Sequence, residues 1–232
     1  MHQFYHPSLL SDQLELSEEE TRHVTGVLRS RVGDLIGLLD GKGTRAEAKI
    51  LEINKRSCSV SVTSRFLEPA ERKARIHLAV APTKQMERFE WMLEKCTEIG
   101  VDRITPLITD RGEREKLRRD RLERVLVSAM KQSQRAWLPQ LDEPTTINDL
   151  ISGMIPDQRS FGWCEGERKW LTSTYRPQEN ALLLIGPEGD FTPEEARTLI
   201  DRGFAPVSMG TARLRTETAA ITACAWMNFA QG

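Results

Sequence analysis

Leu182-Leu183-Leu184-Ile185-Gly186-Pro187-Glu188-Gly189-Asp190-Phe191-Thr192-Pro193-Glu194-Glu195 is the stretch that decides the fold. Its first four residues are a short apolar run that ends at a glycine, the pattern of a buried strand. Gly186 to Asp190 is then a loop, in which two glycines around a proline can present backbone N–H groups that side chains would block. Three signals start a helix after it: Thr192 suits the N-cap, Pro193 suits the first helical position, and Glu195 completes a capping box. The helix should stop near Gly203. A second strand, about Pro206 to Met209, leads into Gly210-Thr211-Ala212-Arg213-Leu214-Arg215-Thr216-Glu217-Thr218, and an Ala-rich helix follows from about Ala219. Two strand–loop–helix units therefore stand back to back, each with a glycine at its strand exit. An α/β ligand site needs such loops at the carboxyl ends of parallel strands. Layout alone fits an ordinary α/β edge with tight turns equally well.

Loop composition separates these readings. The string from Leu184 to Glu195 resembles the signature loop of the RsmE family, and so does Gly210 to Ala219, centred on Leu214-Arg215-Thr216-Glu217-Thr218-Ala219. The two strings match in order and spacing. These enzymes are SPOUT-class methyltransferases that methylate N3 of a uridine in small-subunit (16S) ribosomal RNA.

At 232 residues the chain can bury one large core or two modest ones. Hydrophobic residues at 39% and charged residues at 29% are ordinary for a soluble globular protein. No apolar run approaches membrane-spanning length, and Met1-His2-Gln3-Phe4-Tyr5 does not read as a signal peptide, so a cytoplasmic protein with no membrane partner is expected. Cys58, Cys96, Cys164 and Cys224 are far apart, with no paired spacing for zinc or a redox motif, and read as small apolar residues. The net charge of −1 gives RNA binding no support, so any RNA contact must come from local patches.

Residues 1–70 read as a small β-rich domain. Ser17-Glu18-Glu19-Glu20 is a capping box before one short helix, whose apolar face is Val24, Val27 and Leu28. Leu35 to Leu39 is apolar, Asp40-Gly41-Lys42-Gly43 signals a hairpin, and Ala46, Ala48 and Ile50 alternate with polar residues. After a turn at Asn54-Lys55, Cys58, Val60 and Val62 alternate likewise. The periodicity suits a small barrel of either PUA or OB type; the resemblance implies a PUA-like RNA-binding barrel. Arg22, His23, Arg29 and Arg31 cluster at its helix. His23, Val27, Leu28 and Arg29 match a His-x-x-x-Val-Leu-Arg element of the family, although a solvated basic edge is the plain reading.

Residues 65 to 75 are charged, aperiodic and carry Pro69, which marks a linker before a second domain over 71–232. Ile76 to Ala81 reads as a strand, Met86 to Ile99 as a helix stopped by Gly100, and Val101 to Ile108 as a strand, together the start of a parallel sheet. Lys84, Arg88, Glu90, Glu98, Gly100 and Pro106 stand where the family has similar residues. Arg111 to Arg124 mixes seven basic with four acidic residues and reads as solvated surface. In the Gln-Ser-x-Arg element that the family shares, Gln132 and Arg135 can bond phosphates or base edges, and Trp137 offers a stacking plane. Phe161 to Cys164 reads as a strand that turns out at Glu165-Gly166-Glu167.

The resemblance implies a SPOUT-type parallel sheet tied in a trefoil knot, with S-adenosylmethionine among the knot loops. Its neighbours would be Ile185, Gly186 and Gly189, then Met209 and Gly210, then Leu214, Arg215 and Thr216, with Cys164-Glu165 nearby. Independently, adenine needs a flat apolar slot with backbone donors and acceptors, which glycine-rich loops flanked by Ile, Met and Leu supply. No Gly-x-Gly-x-x-Gly opens a helix, so this is not a dinucleotide fingerprint. No metal is expected.

Uracil N3 carries a proton, so methyl transfer needs a base or a charge that stabilises the uracil anion. Glu217 could take the proton and Arg215 could hold the anion or the donor's carboxylate; capping of the last helix is the plain reading of Glu217. Many family members read Gly-x-Arg-(Ile/Val)-Leu-Arg. Here the first arginine is displaced by one place to Arg213, which weakens any role carried over to it. No cysteine has a catalytic context, which argues against carbon-5 methylation through an adduct. RNA would meet Arg22, His23, Arg29, Arg31, Lys84, Arg88, Gln132 and Arg135. The last helix, Ala219 to Phe229, is apolar almost all round, which favours a two-fold homodimer. The alternatives are a SPOUT methyltransferase for another RNA or atom, an RNA-binding module without cofactor, and a ribosome-assembly factor. Intact loops at 186–190 and 214–219 argue against the cofactor-free module.

Overall fold

The computed structural model describes residues 1–70, 72–113 and 116–232. Arg114 and Glu115 of the charged run, and the Val27 side chain of the basic helix, lie outside the described residues. The chain divides into two units, residues 1–71 with 127–138 and residues 72–126 with 139–232.

In the first unit β1 (Gln3–Tyr5), β2 (Gln13–Glu15), β3 (Leu35–Leu39), β4 (Thr44–Ile53) and β5 (Cys58–Leu67) form one sheet in the order β1-β3-β4-β5-β2. β3, β4 and β5 are an antiparallel meander, and β1 joins β3 in parallel. The period-two pattern does its expected work: Ala46, Ala48 and Ile50 of β4 and Cys58 and Val60 of β5 turn inward onto Phe4, Leu38 and Val24. The expected capping box is half made. Ser17 Oγ accepts from Glu20 N at 3.2 Å, but Glu20 Oε1 accepts instead from Tyr5 N at 3.0 Å and Lys131 Nζ at 2.6 Å. A buried carboxylate is better matched by a cation than by a cap. The helix α1 (Glu18–Arg22) continues as a π-helical turn over His23–Val27.

Residues 127–138 fold with this unit although they follow the linker in sequence. Gly43 N donates to Ala136 O at 3.0 Å and Leu138 N to Gly41 O at 2.9 Å. Gly43 sits at φ 96°, and a Cβ there would run into the Trp137 ring, so only glycine fits. Trp137 therefore packs over the β3–β4 turn and donates Nε1–H to Pro69 O at 3.3 Å. Its ring is half-buried.

The second unit contains β6 (Ile76–Val80), α2 (Met86–Ile99), β7 (Arg103–Ile108), the start of α3 (Arg119–Gln132), β8 (Gln140–Leu141), β9 (Thr145–Thr146), α4 (Ile147–Ser152), β10 (Gln158–Gly162), β11 (Lys169–Trp170), α5 (Leu171–Thr174), β12 (Ala181–Ile185), α6 (Pro193–Asp201), β13 (Ala205–Ser208) and α7 (Thr216–Phe229). Its sheet is parallel throughout, in the order β11-β13-β10-β12-β6-β7-β8, with β9 also on β7. β6 and β12 lie side by side at its middle and are wholly buried, as apolar strands covered on both faces must be. The strand order departs in opposite directions from this pair, and ligand crevices form at the carboxyl side of such a point.

α2 spans the expected residues and stops at Gly100 in the left-handed region. Its apolar face packs on α7, where Asn228 Nδ2 donates to Ile99 O at 2.7 Å. Several boundaries differ from expectation; β7 starts at Arg103 rather than Val101. β10 runs Gln158–Gly162 rather than 161–164, β13 starts one residue early, and α7 begins at Thr216 rather than Ala219. The last shift puts Thr216 and Glu217 inside the first helical turn. Among the described residues no helix is long and apolar enough to cross a membrane, and no group of three or more His, Cys, Asp or Glu could hold a metal ion.

Candidate functional site

A cavity of about 590 Å³ opens at the carboxyl ends of β10, β12 and β13. Ile185, Val207, Met209 and Leu214 give it apolar walls, and the loops after β12 and β13 with the first turn of α7 supply the polar ones. Gly162 leaves room beneath: a Cβ there would stand 3.1 Å from Met209 Cε and 3.4 Å from Ile185 Cδ1.

The loop after β12 is held from several sides. The residue in the left-handed region is Asp190, at φ 63°, and none of the loop glycines. Asp tolerates this conformation because its carboxylate can bond nearby backbone. Asp190 Oδ1 accepts from Phe191 N at 2.8 Å and Oδ2 accepts from Cys164 N at 3.0 Å, tying the exit of β10 to this loop. Gly186 is a glycine for space, since a Cβ would approach the Phe191 ring to 3.1 Å. The capping box forms as read: Thr192 Oγ1 accepts from Glu195 N at 3.1 Å, and Glu195 Oε2 from Thr192 N at 2.7 Å. Glu195 Oε1 also accepts from Asp110 N at 2.9 Å. Arg111, inside the run read as solvated surface, donates to Gly189 O at 2.7 Å and Phe191 O at 3.3 Å. Partial burial, with Asp190 second, pushes the Cys164 thiol above its ordinary pKa, so it is a poor nucleophile.

The loop after β13 is pinned to the first. Arg213 Nη2 donates to Glu188 O at 3.3 Å, and Thr216 Oγ1 to Gly186 O at 3.0 Å. Ser208 Oγ donates to Gly210 O at 2.6 Å. Arg215 is the N-cap of α7 but supplies no capping side chain, so the amino end of a 14-residue helix reaches the cavity with backbone donors unmet by a cap.

Of the residues expected at the cofactor, Ile185, Gly186, Met209, Gly210, Leu214, Arg215 and Thr216 all line this one cavity, as do Cys164 and Glu165. Gly189 does not; a Cβ on it would meet Arg111 at 3.4 Å. Glu217 also stands outside the lining. It is 5% exposed, its Oε1 is 3.9 Å from Arg88 Nε, and its Oε2 is buried without a partner. Arg88, expected at RNA, lines the cavity. Lys84 is exposed and 3.3 Å from Glu113. Arg22, His23, Arg29, Arg31, Gln132 and Arg135 all belong to the first unit. Arg22, Arg29, Arg31 and Gln132 are exposed, while His23 packs edge-on to Phe4 at 5.7 Å. Asp190, Arg111 and the second bond of Glu195 escaped the sequence reading. Only Asp190 left a trace, as an Asp in a Gly-Asp turn.

The family model described as RNA methyltransferase domain matches residues 70–228, and the one described as RNA methyltransferase PUA domain matches residues 16–63. A curated relative in Mesomycoplasma hyopneumoniae, named Ribosomal RNA small subunit methyltransferase E, is 31% identical over 65% of this chain and 68% of its own. This chain belongs to the ribosomal RNA small subunit methyltransferase E family. Solved structures agree with the membership. A Porphyromonas gingivalis protein described as a "probable rRNA-methyltransferase" is 40% identical over 100% of this chain and 98% of its own, with a TM-score of 0.92. A Neisseria gonorrhoeae member of the family, bound to S-adenosyl methionine, is 28% identical over 99% and 98%, with a TM-score of 0.89. The expected α/β architecture is the one found: a parallel sheet in the methyltransferase domain and a PUA domain in the N-terminal part of the chain.

Proposed function

We propose that this protein transfers a methyl group from S-adenosylmethionine to N3 of a uridine in small-subunit (16S) ribosomal RNA. The observation that carries the reading is the cavity between the two glycine-bearing loops, in a chain of this family. The residues fit the cofactor. Ile185, Val207, Met209 and Leu214 make an apolar slot, Gly162 and Gly210 leave it open, and the uncapped end of α7 offers backbone donors. When bound, S-adenosylmethionine supplies an activated methyl group. Ile185, Gly186, Met209, Gly210, Leu214, Arg215 and Thr216 would hold it, and Gly189 would act through loop shape, since Arg111 fills the space beside it. A trefoil knot in this domain rests on the resemblance to the family alone.

The PUA unit, with Arg22, His23, Arg29, Arg31, Gln132 and Arg135, would place the RNA, and Lys84 would assist from the second unit. With a net charge of −1, a few cationic contacts carry this binding. N3 lies on the pairing edge, so the target base must be unpaired or flipped out. The chain would act as a homodimer in the cytoplasm, where it would reach its substrate. α7 leaves Trp226 and Phe229 at 42% and 74% exposure, and a self-complementary contact would cover them.

Purified small subunits incubated with the protein and labelled cofactor, followed by nucleoside mass spectrometry, should yield N3-methyluridine. Methyl on carbon 5, on ribose or on guanine would refute the reading. Arg29→Ala should mainly weaken RNA binding and Arg215→Ala mainly cofactor affinity or turnover. Light scattering should report twice the chain mass of 26.4 kDa.

A further inference from the structure

Arg88 lies in the first turn of α2 and lines the cavity with its side chain 31% exposed. Two carboxylates flank it. Glu188 Oε1 of the first loop is 3.7 Å from Nη1, and Glu217 Oε1 of α7 is 3.9 Å from Nε. Both distances exceed hydrogen-bond range, and the Arg88 side chain donates no hydrogen bond to any described residue. A guanidinium carries five N–H donors in a fixed fork. Here that fork is held by charge from two sides while its donors stay free for whatever enters the cavity.

Glu217 is the other half of the arrangement. Its Oε2 is sealed from solvent and bonded to nothing, and its residue lies outside the cavity lining. A carboxylate buried this way is costly and is offset by the Arg88 charge and the amino end of α7. Standing outside the lining and beside Arg88, it is placed to fix where Arg88 stands.

We propose that Arg88 is a catalytic residue that donates to a uracil carbonyl as negative charge develops on the ring, and that Glu217 and Glu188 are its positioning residues. This inference rests on the uracil N3 reading above. The balance of the step is simple. The N3 proton leaves to solvent water, the N3 electron pair forms the new bond to the methyl carbon, and the carbon–sulfur electron pair stays on sulfur. Between those events the ring charge sits largely on the carbonyl oxygens, where preorganised N–H donors lower its energy most. The same donors give specificity. Uracil offers a carbonyl at carbon 4, whereas cytosine offers an amino group that would face the guanidinium donor to donor.

The test uses the full-length protein with purified small subunits across a pH series, with calorimetry of S-adenosylmethionine as an independent readout. Arg88→Gln should lower kcat by about 10²–10³-fold, the cost of losing one oxyanion donor. Its KM for the subunit and its affinity for the cofactor should stay within about 3-fold. Its residual rate should need a higher pH than the wild type, because the ring must then ionise unaided. Glu217→Gln should show a milder fall, about 10-fold, with the same direction of pH displacement, and Glu217→Asp should recover part of it. Arg88→Gln with kcat within about 3-fold of wild type would overturn the proposal. A loss confined to KM with an unmoved pH profile would do so as well, since Arg88 would then be a phosphate contact. Glu217→Gln as damaging as Arg88→Gln would make Glu217 the base and overturn it too. A wild-type product other than N3-methyluridine would overturn both this inference and the reading beneath it.

Discussion

At β6 and β7, His77, Thr105 and Asp142 close a chain of hydrogen bonds, whereas the cavity at the carboxyl ends of β10, β12 and β13 leaves the guanidinium donors of Arg88 open. The hydroxyl proton of Thr105 goes to Asp142 Oδ2, so His77 Nε2 must be the donor to Thr105 Oγ1 at 2.7 Å. Asp142 also accepts from Arg103 Nε at 2.7 Å and Gln140 Nε2 at 2.8 Å. Burial opposes ionisation of Asp142, yet the bonds from Arg103, Thr105 and Gln140 hold its pKa below the usual value. Burial, then Arg103, lowers His77 to a pKa of about 4 against the pull of Asp142, so their 3.8 Å approach is no ion pair at neutral pH. A hydroxyl, an imidazole and a carboxylate are the residue types of a catalytic triad, but a triad puts the histidine in the middle. Here the hydroxyl is in the middle, and none of the three lines the cavity. Arg88, with free donors, and Glu217, with an orphan oxygen, show the opposite state. Composition alone does not separate a site from a strut; a guanidinium with free donors that also lines a cavity is the feature the closed cluster lacks.

The largest expected effect tests the closed cluster. The unfolded chain protonates His77 near its ordinary 6.5, and the folded protein only near 4. The unfolded state therefore binds more protons across that window, and stability falls as pH drops through it. At about 1.36 kcal/mol per pH unit the loss should be on the order of 3 kcal/mol. Urea denaturation at a series of pH values should show it, and His77→Gln should flatten the slope while methyl transfer at neutral pH stays close to wild type. A His77→Gln variant with intact stability and collapsed activity would break the comparison.

The next effect sharpens the comparison from the cavity side. Asp190→Ala removes one buried and one part-buried charge-assisted bond and should cost about 2 kcal/mol of stability. It should also weaken cofactor binding at least about tenfold, which calorimetry reads directly. Unchanged cofactor affinity would mean the loop does not need its left-handed residue. The smallest effect is at Glu195. Glu195→Ala removes the return bond of the capping box and the support of Asp110 N, for about 1 kcal/mol by thermal or urea unfolding. Turnover should change little if this region is a strut.

Much of the frame was legible because local signals and tertiary needs agree there. Thr192, Pro193 and Glu195 specify a helix start by backbone chemistry alone, and Met86 to Ile99 carries both an apolar stripe and a glycine stop. The cavity was legible through the resemblance of its two loops, with Gly189 and Glu217 displaced from the wall. What failed depends on contacts distant in sequence. Arg111 meets Gly189 across 78 positions, and nothing in a mixed-charge run marks which arginine will turn inward. Residues 127–138 join the first unit through backbone bonds to Gly41 and Gly43, which leave no pattern in their own side chains. α7 starts early because Arg215 caps it without a capping side chain, so no start signal exists to be read.

The bracing of the loop after β12 has a thermodynamic consequence. Asp190, Arg111, Thr216 and the double bond-making of Glu195 fix that loop through contacts internal to the chain, before any ligand arrives. The ordering entropy of the loop therefore belongs to folding and not to association. A ligand meets a surface already in its binding shape, so its affinity is not divided by the fraction of molecules that happen to be competent.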